Sequence, residues 1–167
     1  MAYSAGRQAM TTVTTVVNGV PAVLDVDDCE LLVDTVRHRL RLTGTKRSCD
    51  LEVCGACTVL LDGKAVSACT TLAAELDGRT LTTVEGLADG ERLHPVQQAF
   101  VDHGATQCGF CTPGMVMTVC ALAAEHPDAD EDLAREYLSG TICRCTGYAK
   151  ILEATADVLG RGTAERA

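Results

Sequence analysis

The ten cysteines of this 167-residue chain constrain its fold more than any other feature, because eight of them fall into two spaced sets. The first set has the pattern C-x4-C-x2-C-x11-C and consists of Cys49, Cys54, Cys57 and Cys69. The second set combines a C-x2-C pair with a C-x-C pair and consists of Cys108, Cys111, Cys143 and Cys145. Four thiols in each part of so small a chain indicate either metal ligation or disulfide staples.

The N-terminal residues help to decide between these two uses of cysteine. Residues 1–11 are mostly small and polar and lack the apolar run of a secretory signal peptide, so we interpret them as a flexible leader and expect a cytoplasmic protein. Thiols stay reduced in the cytoplasm, which favours metal ligation. The longest uncharged stretch, residues 104–124, contains Gln107, Pro113 and three glycines, and we therefore expect no membrane span.

The net charge of -9 argues against nucleic acid as a partner, since phosphate binding needs a basic surface. Basic residues nevertheless cluster between residues 37 and 47. A helix end followed by a solvated loop accounts for this cluster, and docking of a partner protein is the alternative. Aromatic residues make up only 3% of the chain, so Val, Leu and Ala must build its core.

Two turn signals predict β-hairpins in the first half of the chain. Asn18-Gly19 separates two β-branched runs, and Asp62-Gly63 separates two apolar runs in the same way. Both dipeptides favour two-residue hairpin turns. Apolar residues at i, i+4 and i+8 predict a helix over residues 30–41, with Asp27-Asp28 supplying its N-cap, and residues 80–84 predict a further strand.

The second half has helical periodicity. Four short helices are expected over residues 95–103, 113–125, 130–138 and 146–159. The sequence GLADG at residues 86–90 separates the two patterns. The predicted domains are therefore residues 12–87 and 88–160, followed by a flexible tail over residues 161–167, and the predicted fold class is α+β.

The spacing C-x4-C-x2-C is that of plant-type ferredoxins, in which a fourth cysteine follows further along the chain. Three thiolates on one tight loop fix a di-iron unit, and a fourth on the neighbouring hairpin completes the set. The second set places its two pairs before the helix starts expected at Thr112-Pro113 and Thr146-Gly147, where helix dipoles favour negative charge. Zinc remains an alternative, above all at the second set, because it also binds four thiolates.

Three strings resemble a known family. SCDLEVCGACTVLLDG, QCGFCTPGM and CRCTGY are similar to the small iron–sulfur subunit of molybdenum hydroxylases, the family of xanthine dehydrogenase, aldehyde oxidoreductase and aerobic carbon monoxide dehydrogenase. The resemblance extends from about residue 12 to residue 159. It implies an N-terminal β-grasp, plant-type ferredoxin-like domain, a C-terminal four-helix bundle, and one 2Fe-2S cluster on each cysteine set.

The resemblance also implies an electron-transfer role in a multi-subunit oxidoreductase. The first set would hold an outer cluster that faces the FAD of a medium subunit. The second set would hold an inner cluster beside the molybdopterin-type molybdenum cofactor of a large subunit, with Gln107 and Cys145 closest to the pterin. Electrons would pass from molybdenum through both clusters to FAD. A dimer of such heterotrimers is expected, and substrate chemistry would belong to the large subunit.

Several residues near the cysteines depart from the family pattern. Ser48 and Asp50 flank Cys49 where many members have glycine, and Glu52 stands where ferredoxin-like loops commonly have glycine. A Glu is strained if its position needs a positive φ, and its charge would favour the oxidised cluster. Thr141 replaces a common Asn just before the CRC motif, which weakens a local cap without changing a ligand.

Two other functions fit the residues. The chain could be a free-standing two-cluster ferredoxin, or an interaction module in which zinc staples two small domains. No catalytic residue is predicted on this chain, because neither a Ser-His-Asp set, nor paired carboxylates, nor a P-loop stands out. Cys29 and Cys120 lie outside both sets, and we expect both to be inert.

Overall fold

Strands form in the first half of the chain and the long helices in the second, in a computed structural model that describes residues 9–160 fully and residues 161–164 as backbone. The strands are β1 (Met10–Val17), β2 (Val20–Asp27), β3 (Thr58–Leu61), β4 (Lys64–Ser67) and β5 (Thr80–Thr82). The helices are α1 (Leu32–Asp34), continued by a π-helical turn (Thr35–Arg39), α2 (Pro95–Asp102), α3 (Thr112–Glu125), α4 (Glu131–Ser139) and α5 (Ala149–Ala164). The predicted α+β class is confirmed.

The five strands form one mixed sheet in the order β2-β1-β5-β3-β4. Strand β1 runs parallel to β5, and the other neighbouring pairs are antiparallel. Both predicted hairpin turns are confirmed: φ is 50° at Asn18 and 80° at Gly19, and it is 52° at Asp62 and 80° at Gly63. Positive φ at both central residues is what a two-residue turn needs to match the twist of its strands.

Strand β3 contributes to both of the larger apolar cores among the described residues. Leu61 is buried in the core between the sheet and α1, whereas Leu60 is buried among the helices. Successive side chains of a strand point to opposite faces, so β3 is covered on both sides. Helix α3 lies at the centre of the second core, and all of its residues from Gly114 to Leu122 are buried.

The helix expected over residues 30–41 is shorter and begins differently. Its N-cap is Leu31, which makes no side-chain cap hydrogen bond, so the prediction of Asp27-Asp28 as the cap is wrong. The N–H of Leu32, which has no acceptor within the helix, instead donates to the carbonyl of Thr71 at 2.8 Å. A carbonyl of a distant turn therefore accepts the hydrogen bond that the side chain of a cap residue would otherwise accept.

Regular structure extends into the described parts of the predicted leader and of the predicted tail. Strand β1 begins at Met10, inside the predicted leader, because residues 10 and 11 pair with β2; residues 1–8 of that leader lie outside the described residues. Helix α5 continues to Ala164, into the predicted tail, since Gly160 weakens a helix without breaking it. Residues 165–167 lie outside the described part. None of the helices described is long and apolar enough to cross a membrane.

Candidate metal centres

The first cysteine set lies on the loop before β3 and on the turn after β4. Cys49 and Cys54 are half-buried at the outside of the loop, and Cys57 and Cys69 are buried behind them. The β3–β4 hairpin brings the fourth thiol to the other three, because the N–H of Ala68 donates to the carbonyl of Cys57 at 3.3 Å. The hairpin thus brings Cys69 to the loop that carries the other three cysteines of the set.

The thiols of this set differ in their environment. Backbone N–H groups of Leu51, Val53 and Cys54 donate to the sulfur of Cys49 and lower the pKa of its thiol to about 6. Burial has the opposite effect on Cys57 and raises the pKa of its thiol to about 12. The set therefore offers one ready thiolate at neutral pH and one thiol that gives up its proton only on binding a metal.

The loop around Cys49 contains two strained residues that other side chains hold in place. Asp50 and Glu52 have φ values of 55° and 57°, so the positive φ considered for Glu52 is confirmed. The guanidinium of Arg47 donates to the Asp50 carboxylate at 3.0 Å and also pairs with Asp34. The hydroxyl of Thr70 donates to the Glu52 carboxylate at 3.2 Å.

Other basic residues near this loop are also used within the chain. Arg37 donates to the carbonyl oxygens of Thr43 and Thr45, and Lys46 donates to the carbonyl oxygen of Thr43. These contacts favour the structural interpretation of the basic cluster over partner docking.

The second cysteine set lies where the chain enters α3 and α5. The sulfurs of Cys108 and Cys145 are 3.6 Å apart and exposed. The thiols of Cys111 and Cys143 are buried and hydrogen-bonded to each other. Cys111 is the N-cap residue of α3, and a φ of 80° at Gly109 turns the chain between the first two cysteines. The predicted position of the first pair at the start of α3 is confirmed. Helix α5 begins at Ala149 and not at the predicted Thr146, because Gly147 and Tyr148 have left-handed φ values of 63° and 67°.

Two hydroxyls hold the loop that carries the C-x-C pair. The Thr146 hydroxyl donates to the sulfur of Cys143 at 3.1 Å; burial opposes ionisation of this thiol, but the hydrogen bonds leave its pKa below the ordinary value. The Tyr148 hydroxyl accepts from the N–H of Cys143 at 2.8 Å and donates to the carbonyl of Thr141 at 3.0 Å. The string CRCTGY contains both residues, but spacing alone did not show this function.

Gln107, Cys108 and Cys145 are all exposed in the structure. The exposed sulfurs of the second set, and the side chain predicted to lie closest to a pterin, are therefore accessible to a partner. Cys120, outside both sets, is buried on α3 with its sulfur 3.9 Å from Nδ1 of His94. Burial raises the pKa of this thiol to about 12, which fits the expected inert packing role.

The two loops meet directly. The carbonyl of Cys54 accepts a hydrogen bond from the N–H of Ile142 at 2.9 Å. A Cβ added at Gly55 would lie 2.5 Å from the carbonyl oxygen of Gly140, and one added at Gly114 would lie 2.3 Å from the carbonyl oxygen of Gly55. Only glycine allows such an approach, and no spacing or motif in the sequence predicts this contact.

Two protein-family models match overlapping parts of the chain. The model described as a 2Fe-2S iron-sulfur cluster binding domain matches residues 32–106, and the model described as a 2Fe-2S binding domain matches residues 83–156. The first cysteine set lies within the former match and the second within the latter. The sheet, the helices and the two thiol sets thus define an iron–sulfur protein.

Relatives of known function narrow this class. The chain is 49% identical over 145 residues to the nicotine 6-hydroxylase small subunit of Paenarthrobacter nicotinovorans, covering 87% of each chain. It is 43% identical over 159 residues to the iron-sulfur-binding subunit PaoA of the Escherichia coli K12 aldehyde oxidoreductase, covering 86% of this chain and 69% of the relative. The chain belongs to the family of small iron–sulfur subunits of molybdenum hydroxylases.

Solved structures agree with this assignment. The fold is similar to a chain of quinoline 2-oxidoreductase from Pseudomonas putida 86, with a TM-score of 0.87, 41% identity, and coverage of 95% of this chain and 99% of that one. It is also similar to part of the aldehyde oxidoreductase of Desulfovibrio gigas, with a TM-score of 0.89 and 40% identity. That match covers 93% of this chain and 18% of the larger one.

Proposed function

We propose that this chain is the electron relay of a molybdenum hydroxylase, located between a large molybdopterin-bearing subunit and a medium FAD-bearing subunit. The observation that carries the proposal is the hydrogen bond between Cys54 and Ile142, because it joins a residue of the first set to the neighbour of Cys143 in the second. The two sets are therefore linked through backbone and one hydrogen bond rather than across solvent.

The donor chemistry fits one 2Fe-2S cluster on each set. The thiols contact one another in pairs, which are Cys49 with Cys54, Cys57 with Cys69, Cys108 with Cys145, and Cys111 with Cys143. Paired thiolates suit a two-iron cluster with four cysteine ligands, and such a cluster supplies a one-electron carrier when bound.

The residues of this chain hold and orient these carriers. In the proposed assignment the exposed edge with Gln107 and Cys145 faces the pterin, and the side with Cys49 and Cys54 faces the flavin. Residues 12–87 form the β-grasp, ferredoxin-like domain, and residues 88–160 form the four-helix bundle. The complex is a cytoplasmic dimer of heterotrimers.

Metal analysis and paramagnetic resonance of the complex from its native source test the proposal. We expect iron and acid-labile sulfide together with two distinct signals after reduction. In Cys108→Ser the inner signal should vanish while the outer one remains, and the control Cys29→Ser, outside both sets, should keep both. Zinc in place of iron, or loss of both signals in Cys108→Ser, would contradict the assignment. A lone monomer on gel filtration would favour a free-standing ferredoxin.

A further inference from the structure

We propose that Glu52 sets the reduction potential of the cluster on the first cysteine set and, through Thr70, holds the loop that carries its ligands. The inference rests on the proposed function, since it requires a cluster at these four cysteines. It assigns to Glu52 two separable actions, one through its charge and one through a hydrogen bond.

The backbone at Glu52 serves the sulfur of Cys49. Glu52 has a left-handed conformation, with φ of 57°. The N–H groups of the residues on either side of it, Leu51 and Val53, both donate to that sulfur. Alternating conformations of this kind turn successive N–H groups towards one anion. Glycine adopts the conformation without strain, whereas a residue with a Cβ needs further contacts to hold it.

The side chain of Glu52 supplies such a contact. Its carboxylate accepts from the Thr70 hydroxyl at 3.2 Å, and that hydroxyl lies equally far from the carbonyl of Ser67. Thr70 directly follows Cys69. The hydrogen bond therefore connects the loop of the first three cysteines to the turn of the fourth, so that Glu52 is a positioning residue for the whole set.

Among residues 9–160, the carboxylate of Glu52 forms no ion pair with a cationic side chain. The carboxylate of Asp50 in the same loop is paired with Arg47 at 3.0 Å, whereas no ion pair within residues 9–160 involves Glu52. Glu52 also lines a crevice of about 190 Å³ together with Gly140 and Thr141, on the side of the loop that faces the second set. One-electron reduction adds a negative charge to a cluster, so a nearby carboxylate disfavours the reduced form and lowers the potential.

Three variants of the purified complex separate the two actions. Glu52→Gln removes the charge but keeps the Cβ and an acceptor for Thr70. Thr70→Val keeps the charge of Glu52 and removes the Thr70 hydroxyl, with its contacts to the Glu52 carboxylate and the Ser67 carbonyl, and Thr70→Ser should restore both. Glu91→Gln, on the exposed turn before α2, is the matched control for loss of one carboxylate. The wild-type complex reports on the proposed function separately, because it must show both cluster signals.

Anaerobic redox titration followed by paramagnetic resonance measures the charge effect. In Glu52→Gln the reduced-to-oxidised ratio of the outer cluster at fixed potential should rise about fivefold, which is ~40 mV for a one-electron couple. The potential of the inner cluster in Glu52→Gln should shift less, and so should the potential of the outer cluster in Glu91→Gln. A shift no larger than in Glu91→Gln would overturn the charge effect.

The rate of iron release to a chelator tests whether the hydrogen bond between Glu52 and Thr70 holds the ligand loop. Thr70→Val should lose iron from the outer cluster faster than wild type, and Thr70→Ser should release it at the wild-type rate. Equal release from wild type and Thr70→Val would overturn the positioning effect of Glu52.

Discussion

The two cysteine loops are fixed by different kinds of contact. Around the first set, charged side chains hold left-handed residues at the surface, as Arg47 does for Asp50. Around the second set, neutral hydroxyls of Thr146 and Tyr148 close a short loop upon itself. Ion pairs at a surface weaken in salt, whereas hydrogen bonds within a half-buried loop do not. The first loop should therefore respond to solution conditions and the second to loss of single hydroxyls.

The largest effect is expected where the two loops touch, because a substitution there disturbs both at once. In Gly114→Ala the new methyl group would meet the carbonyl of Gly55 at 2.3 Å, and backbone cannot move aside cheaply. We expect a loss of about 3 kcal/mol in the free energy of unfolding, measured by chemical denaturation.

A glycine elsewhere on a helix provides the control. A Cβ at Gly160 on α5 meets nothing within 4 Å, so Gly160→Ala should stabilise the protein by about 0.5–1 kcal/mol. Equal effects of the two substitutions would show that the contact between the loops is not tight.

Removal of one hydroxyl should affect the second loop alone. Tyr148→Phe leaves the N–H of Cys143 and the carbonyl of Thr141 without their partner, which costs about 1–3 kcal/mol. The inner cluster signal should broaden or shift in paramagnetic resonance while the outer signal stays unchanged. Tyr137→Phe is the control, since its hydroxyl contacts Glu125 at the surface, and it should leave both signals as they are.

The smallest effect should come from the charges around the first loop. Arg47→Gln removes the ion pairs to Asp34 and Asp50, so the outer cluster should release iron to a chelator slightly faster than wild type. High salt should shrink this difference, because screening already weakens the pairs in wild type. Arg135→Gln, which breaks a surface pair on α4, should leave release unchanged. Faster release from the inner cluster would contradict the comparison.

Features that depend on neighbouring residues were predictable from the sequence. Asn18-Gly19 and Asp62-Gly63 specify their turns locally, and the cysteine spacing indicated both thiol sets. The positive φ at Glu52 was suggested by the resemblance rather than by spacing, since ferredoxin-like loops commonly have glycine at that position.

Features that depend on distant residues were not predictable. The first amides of α1 donate to carbonyls on either side of Cys69, so the acidic residues that precede the helix do not cap it. The hydrogen bond between Cys54 and Ile142 joins residues 88 positions apart, and hydrophobic periodicity does not predict a contact at such a distance. Tyr148 lay within a recognised motif, yet its contact depends on how the loop folds back.

The burial of β3 on both faces bears on how this protein can be divided. Leu60 and Leu61 are adjacent in sequence but belong to different cores, so a cut between residues 87 and 88 would strip the cover from one side of the strand. An apolar strand face exposed to water promotes aggregation. The two halves therefore form one inheritable unit. Exchange of gene fragments between relatives would keep β3 covered only when both halves are exchanged together.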